Sequence, residues 1–212
     1  MFIFEAERRD GVMKKKKEKS KMHLSTLWIV LAASLAGIVI LTFSFTYAWG
    51  VRMQNIEDTS STDVFANFDT ETIYGEKIAS KDVLGAKVTA FNIWETTCPA
   101  CLGEMEALEQ LSGKYPPEDF KLVGVCGDLY DKNGKIKPAQ LEKARGLMDN
   151  AGTSFPHIVP TPEMSKFLKG VVAGYPTTFF VDSTGHIIEY CTGAKDLKGW
   201  TEKVDSVLAK VK

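Results

Sequence analysis

Four cysteines stand in this chain, and only two of them are close together, in Cys98-Pro99-Ala100-Cys101. Two thiols three residues apart suit thiol–disulfide exchange. One thiolate attacks a disulfide sulfur, and the second, about one helical turn on, attacks the mixed disulfide and releases the product. By itself the pattern also fits half a zinc site, a structural disulfide or a Cu(I) site. Zinc would want a second close pair of cysteines or histidines, and Cys126 and Cys191 stand apart. A disulfide closing so small a loop is a weak staple. Dithiol exchange is the reading that the residues support best, and it needs no cofactor.

The elements around the pair favour that chemistry. Val88 to Trp94 reads as a strand, and Met105, Leu108 and Leu111 recur at helical spacing behind Cys101. Cys98 is thus expected at a helix start, where unpaired amides and the helix dipole favour thiolate. Pro99 is compatible with the first turn and stiffens it. A second signal is Gly174-Tyr175-Pro176-Thr177-Thr178, where a proline opens a strand, a position that needs a turn or a special role to be tolerated. Glu104 invites two readings: a solvated carboxylate at a helix start, or a partly buried acid that moves protons for Cys101. Glu95 and Glu106 read as surface charge. His157 and His186 have no cysteine or methionine at ligand spacing and read as incidental.

Further along, Lys121 to Cys126 is a short buried strand after Pro116-Pro117, and Leu141, Ala144 and Met148 mark a helix after Pro138. His157 to Val159 fits an edge strand. Thr161-Pro162 starts a helix with a hydroxyl cap and proline at N1. Thr177 to Val181 and His186 to Cys191 read as a hairpin, and Leu197, Trp200, Val204, Val207 and Val211 as a closing amphipathic helix. The order β-α-β-α-β-α-β-β-α predicts an α/β fold, a mixed sheet with helices on both faces.

Composition is that of an ordinary globular protein, with 26 basic and 27 acidic residues, so no nucleic-acid partner is expected. The average hides an asymmetry. Eight basic residues lie between Arg8 and Lys21, and from Leu24 to Val51 there is no Asp, Glu, Lys or Arg. That stretch exceeds the roughly 20 residues needed to cross a bilayer and the roughly 7–15 of a signal-peptide core. The expected organisation is a basic cytoplasmic segment 1–23, a transmembrane anchor 24–51, a polar linker 52–63 and an extracytoplasmic domain 64–212, oriented by the positive flank. The protein is then single-pass in the cell membrane.

Trp94, Cys98 and Cys101, followed at a distance by Pro176-Thr177-Thr178, resemble the thioredoxin superfamily, and within it the TlpA/ResA-type membrane-anchored thioredoxins. The resemblance covers roughly residues 64 to 212 and includes Gly75-Glu76-Lys77-Ile78, Asn92-Ile93-Trp94, Glu104 and Val181-Asp182-Ser183-Thr184-Gly185-His186. It implies a thioredoxin fold and a cis proline at 176 beside the cysteines. It implies catalytic Cys98, Cys101 and Glu104, and a substrate groove of Trp94, Tyr175, Pro176 and Thr177 in which the backbone near Tyr175 pairs with an extended segment. It also implies a disulfide-containing exported protein as substrate, with apocytochrome c as a candidate, and a membrane thiol transporter of CcdA/DsbD type as electron donor. Four positions depart from the family pattern. Thr97 replaces the usual tryptophan before the first cysteine, Glu106 a common proline, Tyr175 a smaller residue, and Pro99-Ala100 the best-known dipeptides. These bear on substrate choice rather than on fold.

Two rival activities belong to related folds. Peroxiredoxins place Thr or Ser three residues before the reactive cysteine and a proline earlier, where this chain has Glu95 and Phe91. Copper-binding thioredoxin folds use two cysteines one residue further apart and a distant histidine. Cys126 and Cys191 are expected to remain free. In the thioredoxin strand order two strands separate theirs, roughly 14 Å, whereas a disulfide tolerates about 7 Å.

Overall fold

A computed structural model describes residues 64–211. The expected basic segment 1–23, anchor 24–51 and linker 52–63 lie outside the described residues. Among the described residues no helix is long and apolar enough to cross a membrane.

The first strands are β1 (Asp69–Glu71) and β2 (Lys77–Ala79), a small antiparallel hairpin, followed by the one-turn helix α1 (Ser80–Val83). The five-stranded sheet holds β3 (Val88–Trp94), β4 (Phe120–Cys126), β5 (His157–Ile158), β6 (Thr177–Val181) and β7 (Ile187–Thr192), in the order β5-β4-β3-β6-β7. β3 pairs parallel with β4 and antiparallel with β6, so the sheet is mixed as predicted. The helices are α2 (Pro99–Gly103), α3 (Met105–Ser112), α4 (Pro138–Ala151), α5 (Pro162–Val171) and α6 (Leu197–Leu208).

All seven residues of β3 are buried, which makes it the centre of the sheet. Alternation sorts them between two cores. Val88, Ala90 and Trp94 join Leu108, Phe180, Trp200 and Val204 on the face covered by α3, α4 and α6. Phe91 and Ile93 join Phe65, Phe167, Leu168 and Phe179 on the face covered by α5. Asn92 shares its parity with Ala90 and Trp94, so the sequence drives an amide into the first core. Register puts Gly124 on one side of it and Thr178 on the other.

One expectation about the elements needs correction. The helix behind the cysteines is two helices, α2 and α3, joined at Glu104 (φ −97°, ψ −7°), whose side chain turns inward instead of lying on a continuous helix surface. His157–Ile158 is the edge strand of the sheet, as expected. Ile73 donates its N–H to His157 and Val159 to Glu71, so the chain beyond β1 covers it. The β1–β2 hairpin itself carried no signal beyond Gly75-Glu76-Lys77-Ile78. The Thr161 cap is as expected, its hydroxyl accepting from the N–H of Met164 at 3.1 Å.

Candidate active site

The C-terminal end of β3 delivers the chain to the cysteines. Past β3 and β4 the pairing continues for one bond, Gly127 N–H to Trp94 C=O at 2.8 Å, and then the strands part. Asp128 holds the loop that follows. It accepts the Thr96 N–H at 3.2 Å and the Thr96 hydroxyl at 2.8 Å, and it also accepts from Gln140 and from the Cys126 thiol. Burial raises the proton affinity of Asp128, but those donors outweigh it and its pKa lies below the usual value. Nothing in the spacing pointed to Gln140. Nor did the sequence single out Asp128, two residues past the end of β4.

Cys98 caps α2. Its sulfur accepts the Cys101 N–H at 3.1 Å, and the residue is partly exposed, between exposed Thr97 and exposed Pro99 and Ala100. Cys101 is fully buried. The two are joined as a disulfide with a Cα–Cα separation of 5.3 Å. Because α2 has only five residues, the macrodipole expected from sequence is short. The aimed amide of Cys101 is the local donor available to a Cys98 thiolate.

Tyr175–Pro176 is a cis peptide at the start of β6. Of the four groove residues expected from sequence, only Tyr175 offers side-chain surface. Trp94 is 0 % exposed and packs edge-on against His157, at 5.6 Å between centroids. It is therefore a floor beneath the loop and not a wall of the groove. Pro176 and Thr177 are buried too, and the Thr177 hydroxyl donates to the Gly174 carbonyl at 2.7 Å. Glu95 is not a plain surface charge. It is half-buried and accepts a hydrogen bond from the Tyr175 hydroxyl. Burial raises the Glu95 pKa, and burial together with Glu95 pushes Tyr175 up to about 12. The tyrosine that departs from the family pattern is thus braced by the glutamate before the cysteines.

Glu104 is 2 % exposed. Oε1 accepts from Asn92 Nδ2 at 3.0 Å, and Oε2 accepts the Lys195 N–H at 3.1 Å and the Trp200 indole N–H at 3.2 Å. Burial pushes its pKa up to about 7, although all three donors oppose the rise. Asn92 Nδ2 also donates to the Thr178 hydroxyl at 3.0 Å, which leaves Asn92 Oδ1 buried and unpartnered among the described residues. Lys195 and Trp200 were not expected here, since they lie 91 and 96 residues from Glu104. Glu106, by contrast, is exposed as expected.

Cys126 and Cys191 are free thiols, on strands separated by β3 and β6. Burial raises the Cys126 pKa, with Asp128 adding to it. His157 is a core residue. Its ring fills the space over Gly124, where a Cβ would collide with it, and burial lowers its pKa to about 3. Among the described residues no group of three or more His, Cys, Asp or Glu could hold a metal.

The model of the AhpC/TSA family matches residues 62–190. The thioredoxin-like protein YneN of Bacillus subtilis is 29% identical over 139 residues, which span 66% of this chain and 75% of that protein. The thiol-disulfide oxidoreductase ResA of Halalkalibacterium halodurans is 29% identical over 138 residues, spanning 65% and 69%. Among solved structures, a thiol:disulfide interchange protein of the thioredoxin family from Chlorobium tepidum superposes with a TM-score of 0.56 at 23% identity. It covers 67% of this chain and 93% of that one, a likeness of fold. The chain belongs to the AhpC/TSA family, and within it to the thioredoxin-fold, ResA/YneN-like thiol–disulfide oxidoreductases.

Proposed function

We propose that this chain is a membrane-anchored extracytoplasmic oxidoreductase that reduces disulfides of exported proteins through Cys98 and Cys101. One observation carries the reading: a partly exposed cysteine whose sulfur has an amide aimed at it stands one turn before a fully buried one. The first suits attack on a large partner and the second suits resolution.

The steps balance as follows. The Cys98 thiolate bonds to one sulfur of the substrate disulfide, and the other substrate sulfur leaves as thiolate and takes a proton. The Cys101 thiol gives its proton to the Glu104 carboxylate, and its sulfur attacks Cys98 Sγ. The mixed disulfide breaks, and the substrate sulfur that was bonded to Cys98 leaves as thiolate and takes up the proton that Glu104 returns. Two electrons pass to the substrate, and the enzyme is left with the Cys98–Cys101 disulfide. A carboxyl with a pKa of about 7 is suited to accept and return a proton near neutrality. Tyr175, flanked by the cis proline, supplies the groove surface on which an extended segment pairs. Reduction of the enzyme falls to a membrane thiol transporter of CcdA/DsbD type, and apocytochrome c is a candidate substrate. The charge pattern before residue 52 supports the anchor and its orientation.

Trapping tests this reading. Cys101→Ser should accumulate mixed disulfides with exported proteins, while Cys98→Ser should accumulate none. Mixed disulfides on Cys98→Ser, and their absence on Cys101→Ser, would reverse the two roles.

A further inference from the structure

After β7 the chain turns toward α6, and this turn touches two parts of the site at once. Gly193, with φ 97°, donates its N–H to the Pro176 carbonyl at 2.8 Å. Two residues on, the Lys195 N–H reaches Glu104 Oε2. The Lys195 ammonium folds back to the Gly193 carbonyl at 3.1 Å and lies 5.1 Å from the centroid of the Trp200 ring, whose N–H binds the same carboxylate oxygen. Just before the turn, Thr192 and Thr177 share a hydroxyl hydrogen bond at 3.0 Å. The loop carrying the cis proline and the buried carboxyl are therefore fastened to one short segment.

We infer that Lys195 is a positioning residue that acts on Glu104 through its backbone N–H, and that the Gly193–Lys195 turn holds Glu104 in register with the Tyr175–Pro176 loop. The inference rests on the proposed role of Glu104 as the proton acceptor for Cys101. A carboxylate removed from water depends on the donors aimed at it. A backbone N–H is the steadiest of these, because it neither titrates nor rotates away. The other groups facing the Glu104 carboxyl are Asn92 from β3, Trp200 from α6 and the Lys195 ammonium, with the Cys191 thiol of β7 nearby; the Glu104 backbone N–H donates to the Cys101 carbonyl. Lys203 of α6 bears on Cys191. An open cleft of about 500 Å³, lined in part by Ala100, Gly103, Glu104 and Lys195, gives the carboxyl a route for proton exchange with solvent.

The test uses the full chain in detergent, oxidised so that Cys98 and Cys101 do not titrate. Carbon-13 labelling of glutamate carboxyls reads the Glu104 midpoint directly, and the signal is assigned by its loss in Glu104→Gln. In the unmodified protein the Lys195 amide resonance should titrate with the same midpoint as Glu104. Lys195→Pro, which removes the N–H, should raise that midpoint by about one pH unit, the worth of a charge-assisted hydrogen bond. Lys195→Ala, which removes the ammonium and keeps the N–H, should raise it by less than about half as much. Gly193→Ala, strained at positive φ, should raise the Glu104 midpoint and, in a separate assay of the reduced enzyme, the KM for a protein disulfide. A Lys195 amide that ignores the Glu104 titration would overturn the inference, as would Lys195→Ala matching Lys195→Pro. The amide measurement needs no variant to fold. A pH–rate profile of Glu104→Gln identical to wild type would instead remove the proton-transfer role, whatever the amide shows.

Discussion

Glu104→Gln should change how the stability of the oxidised domain depends on pH. The Glu104 carboxyl ionises near 4.5 when unfolded and near 7 when folded. Between those values the folded state holds a proton that the unfolded state has released, so stability falls as pH rises through the window. A span of about 2.5 pH units at 1.36 kcal/mol each sets a ceiling of about 3 kcal/mol, fully present above pH 7. The glutamine has no such penalty. Its carbonyl can keep the Lys195 and Trp200 bonds, and a flip of Asn92 would offer the now unpartnered Oδ1 to the new amide. His157 acts in the opposite sense. Its pKa is depressed to about 3, so its contribution is present above about 6.5 and is lost as pH falls. Because His157 is common to both proteins, the difference between them isolates Glu104. Urea unfolding at about pH 5 and about pH 8 should show the variant gaining on wild type by about 1.5–3 kcal/mol at the higher pH. A difference that stays constant within about 0.5 kcal/mol would refute the buried, raised carboxyl.

Gly124→Ala should cost about 1–3 kcal/mol in urea unfolding, since its Cβ would displace the His157 ring on which Trp94 rests; an unchanged midpoint would show that the ring yields freely. Asp128→Ala should cost about 1–3 kcal/mol by orphaning the Thr96 N–H, and it should slow exchange by loosening the loop before Cys98, measured as insulin disulfide reduction. Rates at the wild-type level would deny Asp128 any hold on that loop. A reporter that works only outside the cytoplasm should be active when fused after Lys212, as the basic flank before residue 24 requires. Activity confined to a cytoplasmic reporter would invert the topology.

Much of this protein was legible along the chain because the relevant physics is local. Continuous β-rich runs marked β3, β4 and β6, a hydroxyl and a proline marked the start of α5, and two cysteines one turn apart after a strand marked the reacting pair. The strand order that keeps Cys126 from Cys191 followed from the family resemblance, and the sheet has that order. What the tertiary structure alone decided concerns polar groups that meet across the sheet. Asn92 is one letter in a hydrophobic strand until register sets it between Gly124 and Thr178, under a carboxyl from the break between α2 and α3. Glu104 is then completed by donors 91 and 96 residues away. Trp94 and Glu95 exchange their expected places for the same reason. The tryptophan goes down onto His157, and the glutamate turns toward Tyr175 on another strand. Periodicity states which face a residue takes, but not which distant residue shares it. A buried charge is governed by those neighbours, because at low local dielectric each aimed N–H decides how the proton is held.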